Sequence, residues 1–346
     1  MKKYLFGICG AFDFEENATG GQSIKTREFY YALSDKVGRE KICILESTDY
    51  RKNPLYFLAS LIKLIKECEN IILFPAQNGI LIFAPICKVL KNIYNTKTYY
   101  GVIGGWLAKL IDEHPRLKTF LRDFNAILVE TNIMKSELAE RGIFNTVKLK
   151  NFKRLKPVKN TEIKEVNSIV RLCYFSRVTK LKGIADAVNV VNKINKNGIQ
   201  CTLDIFGPVT DGYNKEFEEL QKTFNKGIVY KGKINPADSI SVISDYDIQL
   251  FPTHYKTEGI PGSIIDSYFA GVPVIASKWN SFSDLIIEGE TGIGYEINHI
   301  DDFFVKLNKI IHNKEKIMYM KQKALQEAKN YQAERVIDEF LQIVGR

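Results

Sequence analysis

Apolar segments of strand length alternate with helical patterns along this 346-residue chain. In the first half, we predict strands near residues 4–9, 42–46, 71–74, 97–102, 126–130 and 146–149. In the second half, we predict them near 170–175, 201–206, 228–230, 247–251, 272–276 and 292–295. Parallel strands need a crossover between them, and a helix is its usual form. The alternation therefore predicts an α/β fold with two doubly wound, Rossmann-like domains.

The segment 151–168 lacks hydrophobic periodicity and is rich in Lys, Pro, Asn and Glu, which is typical of an interdomain linker. We therefore place one domain at 1–156 and a second at 157–328. After residue 301 the pattern predicts continuous helix to the end, so we expect 329–346 to pack back on the first domain. Ligands of parallel sheets bind beyond the carboxyl ends of the strands. The two domains are therefore expected to face each other across one cleft.

Cysteine usage and apolar runs indicate a cytoplasmic protein. The six cysteines are scattered, which suits reduced thiols and disfavours structural zinc. The apolar run after Met1 is short and has no cleavage site, so we interpret it as a first strand and not a signal peptide. The longest uncharged run, 71–87, contains Pro75 and Pro85 and is not expected to span a membrane.

Positive charge is concentrated in the first domain. Residues 1–156 hold 25 Lys and Arg against 16 Asp and Glu, so the whole net charge of +9 lies there. A basic half suits nucleic acid, an anionic membrane or an acidic substrate, and the absence of a nucleic-acid motif disfavours the first. The segment 54–65 is apolar over most of a helix, with Arg51, Lys52, Lys63 and Lys66 at its ends and edge. This favours contact with anionic lipid, although packing on the sheet is the alternative.

Two carboxylates, Glu258 and Asp266, flank a Gly/Pro turn between two strand-like runs. Such a turn opens a helix at the carboxyl end of a strand, where free amides and the helix dipole favour an anion. Asp266 would lie one to two turns into that helix. It is therefore a candidate acceptor for sugar hydroxyls.

Basic residues and glycines mark the corresponding strand ends. Arg177 and Lys182 follow the first strand of the second domain, where they would bind phosphate unless they form a solvated basic turn. In the first domain, Gly20 and Gly21 follow the first strand and would let backbone approach a ligand, although a plain turn is the alternative. His254 follows a strand end and reads as a site residue or a loop histidine.

Together these motifs resemble the sugar-donor domain of family 4 glycosyltransferases of the GT-B fold. The resemblance rests on Ser176-Arg-x4-Lys-Gly183, Gly207, Gly232, Phe251-Pro-Thr, Glu258-Gly-Ile-Pro-x4-Asp266 and Gly271-Val-Pro-Val-Ile-Ala. Val102-Ile-Gly-Gly-Trp106 and the segments 129–136 and 151–153 look like those of bacterial members that build capsule or other surface polysaccharide.

The resemblance implies retaining, metal-independent transfer of a hexosyl group from a nucleotide sugar, such as a UDP-sugar, to a glycan or polyprenyl-linked acceptor. No cofactor is implied. Arg177 and Lys182 would contact the diphosphate of the sugar donor, and Glu258 would lie by its sugar and phosphate. The remaining implied contacts are the ribose at Asp266 and the diphosphate or sugar at Gly20, Gly21, Gly207, Gly262, Ser263 and Ile264.

In the implied mechanism the acceptor hydroxyl attacks the face that the nucleotide leaves, and a phosphate oxygen of the sugar donor takes its proton. Positioning and stabilisation of the departing charge would supply the catalysis. The chain departs from the family pattern Glu-x7-Glu at Asp266, whose shorter side chain could reach the ribose through water. On the acceptor side, Gly104, Gly105 and Trp106 follow the fourth strand; the indole would stack on a sugar or belong to the core.

Other functions remain open at this stage. The change at Asp266 would also suit a nucleotide-sugar-binding protein without transfer, and the architecture would suit a phosphorylase, hydrolase or epimerase relative. Asp245-Tyr-Asp247 is a D-x-D pattern that binds metal in another transferase fold; here it precedes a strand, which favours a structural role. The membrane interface would place this cytoplasmic protein at the inner face of the membrane.

Overall fold

A computed structural model describes residues 2–14, 21–48, 50–159 and 162–346. The chain divides into two compact units, one made of Met1–Arg154 with Ala333–Arg346 and the other of Leu155–Gln332. Each unit contains one six-stranded sheet, and every strand pair found among the described residues is parallel. The predicted α/β class is therefore confirmed.

The first unit is ordered β2-β1-β3-β4-β5-β6. Its strands are β1 (Tyr4–Gly10), β2 (Ile42–Glu46), β3 (Cys68–Phe74), β4 (Lys97–Gly101), β5 (Ala126–Val129) and β6 (Thr146–Lys148). Its helices are α1 (Gly21–Val37), α2 (Pro54–Glu67), α3 (Gln77–Tyr94), α4 (Leu107–Glu113), α5 (Leu117–Leu121), α6 (Asn132–Glu140) and α14 (Ala333–Ile343). The order of connection reverses between β1 and β3, which makes that edge the switch point of the sheet.

The second unit is ordered β12-β11-β10-β7-β8-β9. Its strands are β7 (Val170–Phe175), β8 (Cys201–Phe206), β9 (Ile228–Gly232), β10 (Ile248–Phe251), β11 (Val274–Ser277) and β12 (Gly292–Tyr295). Its helices are α7 (Ile184–Ile194), α8 (Asn214–Gln221), α9 (Ser239–Ile243), α10 (Gly262–Phe269), α11 (Phe282–Leu285), α12 (Ile300–Ile311) and α13 (Lys314–Ala328). Here the switch point lies between β7 and β10. All twelve predicted strands are present.

Apolar residues cover both faces of each sheet, as buried parallel sheets require. In the first unit α14 packs against α1, and its Phe340 ring meets those of Phe6, Phe29 and Tyr99. The prediction of continuous helix after residue 301 is wrong. Helix α12 ends at Ile311, and Asn313 caps α13 by accepting a hydrogen bond from the Lys316 amide. The chain breaks again at 329–332.

A buried ion pair joins α13 to β10. Lys321 Nζ lies 3.1 Å from Asp247 Oδ1, and both side chains are almost completely buried. Asp247 also accepts a hydrogen bond from the Arg171 amide at 2.8 Å, while Asp245 pairs with Lys164. Burial lowers the pKa of Lys321, and the carboxylate partly opposes that shift. Both carboxylates of the D-x-D pattern therefore have lysine partners.

The predicted compartment was inferred from the cysteines and the apolar segments. All six cysteines are free thiols, and five of them are buried. No helix within the described ranges is long and apolar enough to cross a bilayer.

Candidate active site

The candidate residues of the second unit lie on its switch point. Arg177 and Lys182 follow β7, while Glu258 and Asp266 follow β10, and these two strands are hydrogen-bonded neighbours. The carboxyl ends of parallel strands open at one edge of the sheet. Two segments that are distant in sequence therefore meet where the fold favours ligand binding.

A tyrosine hydroxyl bonds to the backbone of the turn after β7. The Tyr174 hydroxyl donates to the carbonyl of Arg177 at 3.1 Å and lies 3.3 Å from that of Lys182. Burial raises the pKa of Tyr174, so its hydroxyl remains a donor. The Arg177 side chain is exposed, and no hydrogen bond or ion pair involving it is found within the described residues. Its guanidinium can reach a ligand without first breaking an internal contact.

Lys182 and Glu258 form an ion pair across the switch point. Lys182 ends a 3-10 turn, Lys180–Lys182, whose cap is the Thr179 side chain. The Lys182 ammonium lies 5.3 Å from the centre of the Phe251 ring and 5.5 Å from that of Tyr255. The side chains of the pair are 10% and 18% exposed, respectively. The site thus holds a cation and a carboxylate at fixed positions, with one edge open to solvent.

Two glycines allow the strand ends of this site to approach closely. Gly183 has φ of 72°, and a Cβ there would lie 1.7 Å from the carbonyl oxygen of Pro252. At Gly207, φ is 132° and a Cβ would lie 1.9 Å from the carbonyl oxygen of Ser176. No other residue fits either position without a backbone shift. Gly207 therefore lies directly against the Ser176 carbonyl, in the turn that carries Arg177.

Helix α10 begins at the same edge. The amides of Ile264 and Ile265 bond to the Pro261 carbonyl, whereas Gly262 and Ser263 occupy first-turn positions that have no partner within a helix. These two residues are half-buried, and the positive end of the helix lies with them. Asp266 is 3% exposed and lies in the next turn of α10. The arrangement can receive an anion at the helix start.

Three contributors to this edge escaped the sequence reasoning. The ring of His254 contacts Asp186 of α7 and Asn298 after β12. Trp279 follows β11 and packs on Phe251 with its ring centroid 5.5 Å away; its buried Nε1 has no hydrogen-bond partner among the described residues. The positions of Asp186, Asn298 and Trp279 at strand or helix ends were the only signal that could have indicated them.

The described candidates of the first unit lie at a helix start and after a strand. Gly20 lies outside the described residues, and Gly21 is the first residue of α1. Gly104 has φ of 81°, and Gly105 follows it. The Trp106 indole donates to the Ile103 carbonyl at 2.6 Å and packs on the core while remaining partly exposed. The Trp106 indole is thus held in place by the core.

An ion pair in the first unit was also missed. Lys25 of α1 contacts Glu130, which directly follows β5, and the two side chains are 12% and 4% exposed. Nothing local in the sequence links positions 105 residues apart. The pair adds charge to the carboxyl edge of the first sheet.

Part of the chain is similar in sequence to known glycosyltransferases. Residues 159–327 match the family described as glycosyl transferases group 1. An uncharacterized glycosyltransferase of Methanocaldococcus jannaschii is 24% identical over 42% of this chain and 36% of its own length. A capsular polysaccharide biosynthesis glycosyltransferase, CapM of Staphylococcus aureus, is 28% identical over 40% of this chain and 36% of its own length. The matches thus span little more than a third of these relatives.

Solved structures match along the whole chain. The structure of Anabaena Alr3699/HepE in complex with UDP has a TM-score of 0.76 at 14% identity, with 99% of both chains covered. The lipopolysaccharide outer core galactosyltransferase WaaB has a TM-score of 0.69 at 15% identity and the same coverage. The chain therefore has the GT-B fold. Residues 159–327 match the group 1 glycosyl transferases, so the resemblance to the family 4 enzymes is confirmed for that part of the chain.

Proposed function

We propose that this protein is a retaining glycosyltransferase that moves a hexosyl group from a nucleotide sugar to a glycan or polyprenyl-linked acceptor. The observation that carries the proposal is the Lys182–Glu258 pair, set at the switch point from which α10 begins. UDP is the expected nucleotide, because a structure of similar fold is described in complex with UDP. CapM supports surface polysaccharide as the product class.

Each side chain has a role in this proposal. Arg177 and Lys182 neutralise the diphosphate as the bond to the sugar breaks, and the first-turn amides of α10 bind its outer oxygens. Glu258 orients Lys182 and lies by the sugar. The departing phosphate takes the proton of the acceptor hydroxyl, so no side-chain nucleophile is needed. The acceptor is assigned to the first unit, with Trp106 as a candidate contact.

UDP is expected to stabilise the protein against heat more than GDP or ADP does. A ligand at 100 times its dissociation constant adds about 2.7 kcal/mol to the free energy of unfolding.

Arg177→Ala should weaken UDP binding about 10- to 100-fold, the scale of one hydrogen bond to a charged group. Its exposed side chain predicts an unchanged melting temperature without ligand. A thermal-shift panel of nucleotides and their sugars, with calorimetry for the dissociation constants, measures both effects; undiminished UDP binding by the variant would remove Arg177 from the site.

Binding without transfer is the second candidate function, favoured by the deep burial of Asp266. It predicts a nucleotide-sugar complex with neither transfer nor slow hydrolysis. Product analysis with and without inorganic phosphate separates transfer from phosphorolysis, hydrolysis and epimerisation on this architecture.

We further propose that the first unit contacts an anionic membrane, so that this cytoplasmic protein works at the inner face. Helix α2 exposes Leu55 and Tyr56 at 79% and 70% and carries the exposed Lys63 and Lys66. The neighbouring α3 exposes Ile82, Val89 and Ile93, which share one helical face. Apolar side chains beside lysines suit insertion among anionic headgroups, at about 1 kcal/mol for each cation near the surface. A lipid-linked acceptor would be reached from this position.

Flotation with vesicles tests the membrane contact. The protein is expected to float with vesicles containing phosphatidylglycerol and to stay behind with phosphatidylcholine alone. The double variant Leu55→Glu/Tyr56→Glu should lose flotation because it removes the apolar anchor and adds like charge. Val229→Glu, an exposed apolar position of the second unit, is the matched control. Flotation that is indifferent to lipid charge would exclude a role for anionic lipid. A wild-type dimer that buries these residues would exclude the membrane contact itself.

A further inference from the structure

His254 stands at the start of the loop that carries Glu258. Its backbone amide donates to the Leu181 carbonyl at 2.8 Å, directly before Lys182. Its ring Nε2 lies 2.9 Å from Asp186 Oδ2, and its Nδ1 lies 2.6 Å from Asn298 Oδ1. We call His254, Asp186 and Asn298 the histidine clamp. One side chain thus joins the segments that follow β7, β10 and β12.

The clamp and the ion pair link the same two segments. Asp186 lies four positions after Lys182, and Glu258 lies four positions after His254. The contacts 182–258 and 186–254 therefore form two successive cross-links between the turn after β7 and the loop after β10. A loop that is held at two points has less freedom than one held at a single point.

The rest of the loop gives Glu258 little support. Tyr255, Lys256 and Thr257 are exposed. The Asn280 amide donates to the Lys256 carbonyl at 3.0 Å, and the Tyr255 amide donates to the nearby Thr253 hydroxyl at 3.2 Å. The imidazole is itself 29% exposed, and the Asp186 side chain is 24% exposed. Removing the ring would therefore remove the side-chain anchor of the loop, while the His254 amide stays bonded to Leu181, without opening a cavity in the core.

We propose that His254 is a positioning residue that fixes the loop 254–258 so that Glu258 and Lys182 keep the orientation that binds the sugar donor. This inference rests on the proposed function. In this role His254 acts through Glu258. Both ring nitrogens face side-chain oxygens, so the ring is oriented from two sides, as positioned histidines commonly are.

Five variants test the inference, with Glu258→Gln alone as the reference for the double variant. In His254→Ala, the KM for the UDP-sugar should rise about 10-fold, and kcat should fall by a smaller factor. His254→Gln should recover most of the loss, because its amide can donate to Asp186 from nearly the position of Nε2. In the Glu258→Gln background, His254→Ala should have no further effect, since its route of action is gone. His312→Ala, an exposed histidine at the end of α12, is the control and should match the wild type.

Hydrogen exchange gives a readout that needs no ligand. The amides of 255–260 should exchange faster in His254→Ala than in the wild type or in His312→Ala. Unchanged exchange, an unchanged KM, or additive losses in the double variant would overturn the positioning role. A wild type that binds no nucleotide sugar would refute the proposed function and this inference together. Normal transfer by the wild type, with His254→Ala indistinguishable from it, would refute the inference alone.

Discussion

Lys182→Met is expected to lower kcat about 100- to 1,000-fold, the scale of one preorganised charge lost from a transition state. Methionine keeps the length and apolar stem of the side chain, while the ammonium and its cation–π contact with the Phe251 ring are removed. Glu258→Gln should lower kcat as well. The double variant should lose much less than the product of the single losses, because the pair acts as a unit.

Initial rates with the preferred nucleotide sugar measure these effects, and Lys180→Met is the matched control. Lys180 belongs to the same 3-10 turn and is exposed, so its loss should leave kcat unchanged. Melting temperatures separate a chemical loss from unfolding, since a buried carboxylate that loses its partner also lowers stability. A kcat within tenfold of the wild type in Lys182→Met would exclude the assigned role.

Most of the fold could be predicted because its signals are local. A strand that is buried on both faces reads as a short apolar run, and every predicted strand is present. The strand order could not be predicted, because the pairing of β7 with β10 joins residues more than 70 positions apart. The helix breaks were missed because a single side chain, Asn313, decides one of them.

The candidate residues at this edge of the sheet could be named from the sequence, but the contacts between them could not. Lys182 and Glu258 were each assigned to one sugar-donor site, yet their direct ion pair follows from strand order. In the sequence His254 resembles any loop histidine; only the structure shows that its ring contacts Asp186 and Asn298. Trp279 had no signal beyond its position after a strand, because its indole faces residues brought there by packing. Side-chain partners distant in sequence are the information that a single sequence hides.

Gly183→Ala is expected to lower the free energy of unfolding by about 3 to 5 kcal/mol, the range of severe single substitutions. The methyl group would lie 1.7 Å from the Pro252 carbonyl oxygen, so the turn after β7 and the end of β10 would have to separate. The left-handed backbone adds about 1 to 2 kcal/mol for any residue with a Cβ. Because Lys182 precedes this glycine, UDP affinity should fall as well.

Gly232→Ala isolates the contribution of the close approach. Gly232 has φ of 74°, nearly that of Gly183, but a Cβ there would meet nothing within 4 Å. It should therefore cost only the backbone strain of about 1 to 2 kcal/mol. Denaturant unfolding of both variants measures the difference, which should be about 1 to 4 kcal/mol. Equal losses would mean that backbone strain alone requires glycine at 183 and that the Pro252 carbonyl can move aside. The turn carrying Lys182 would then not be fixed by β10.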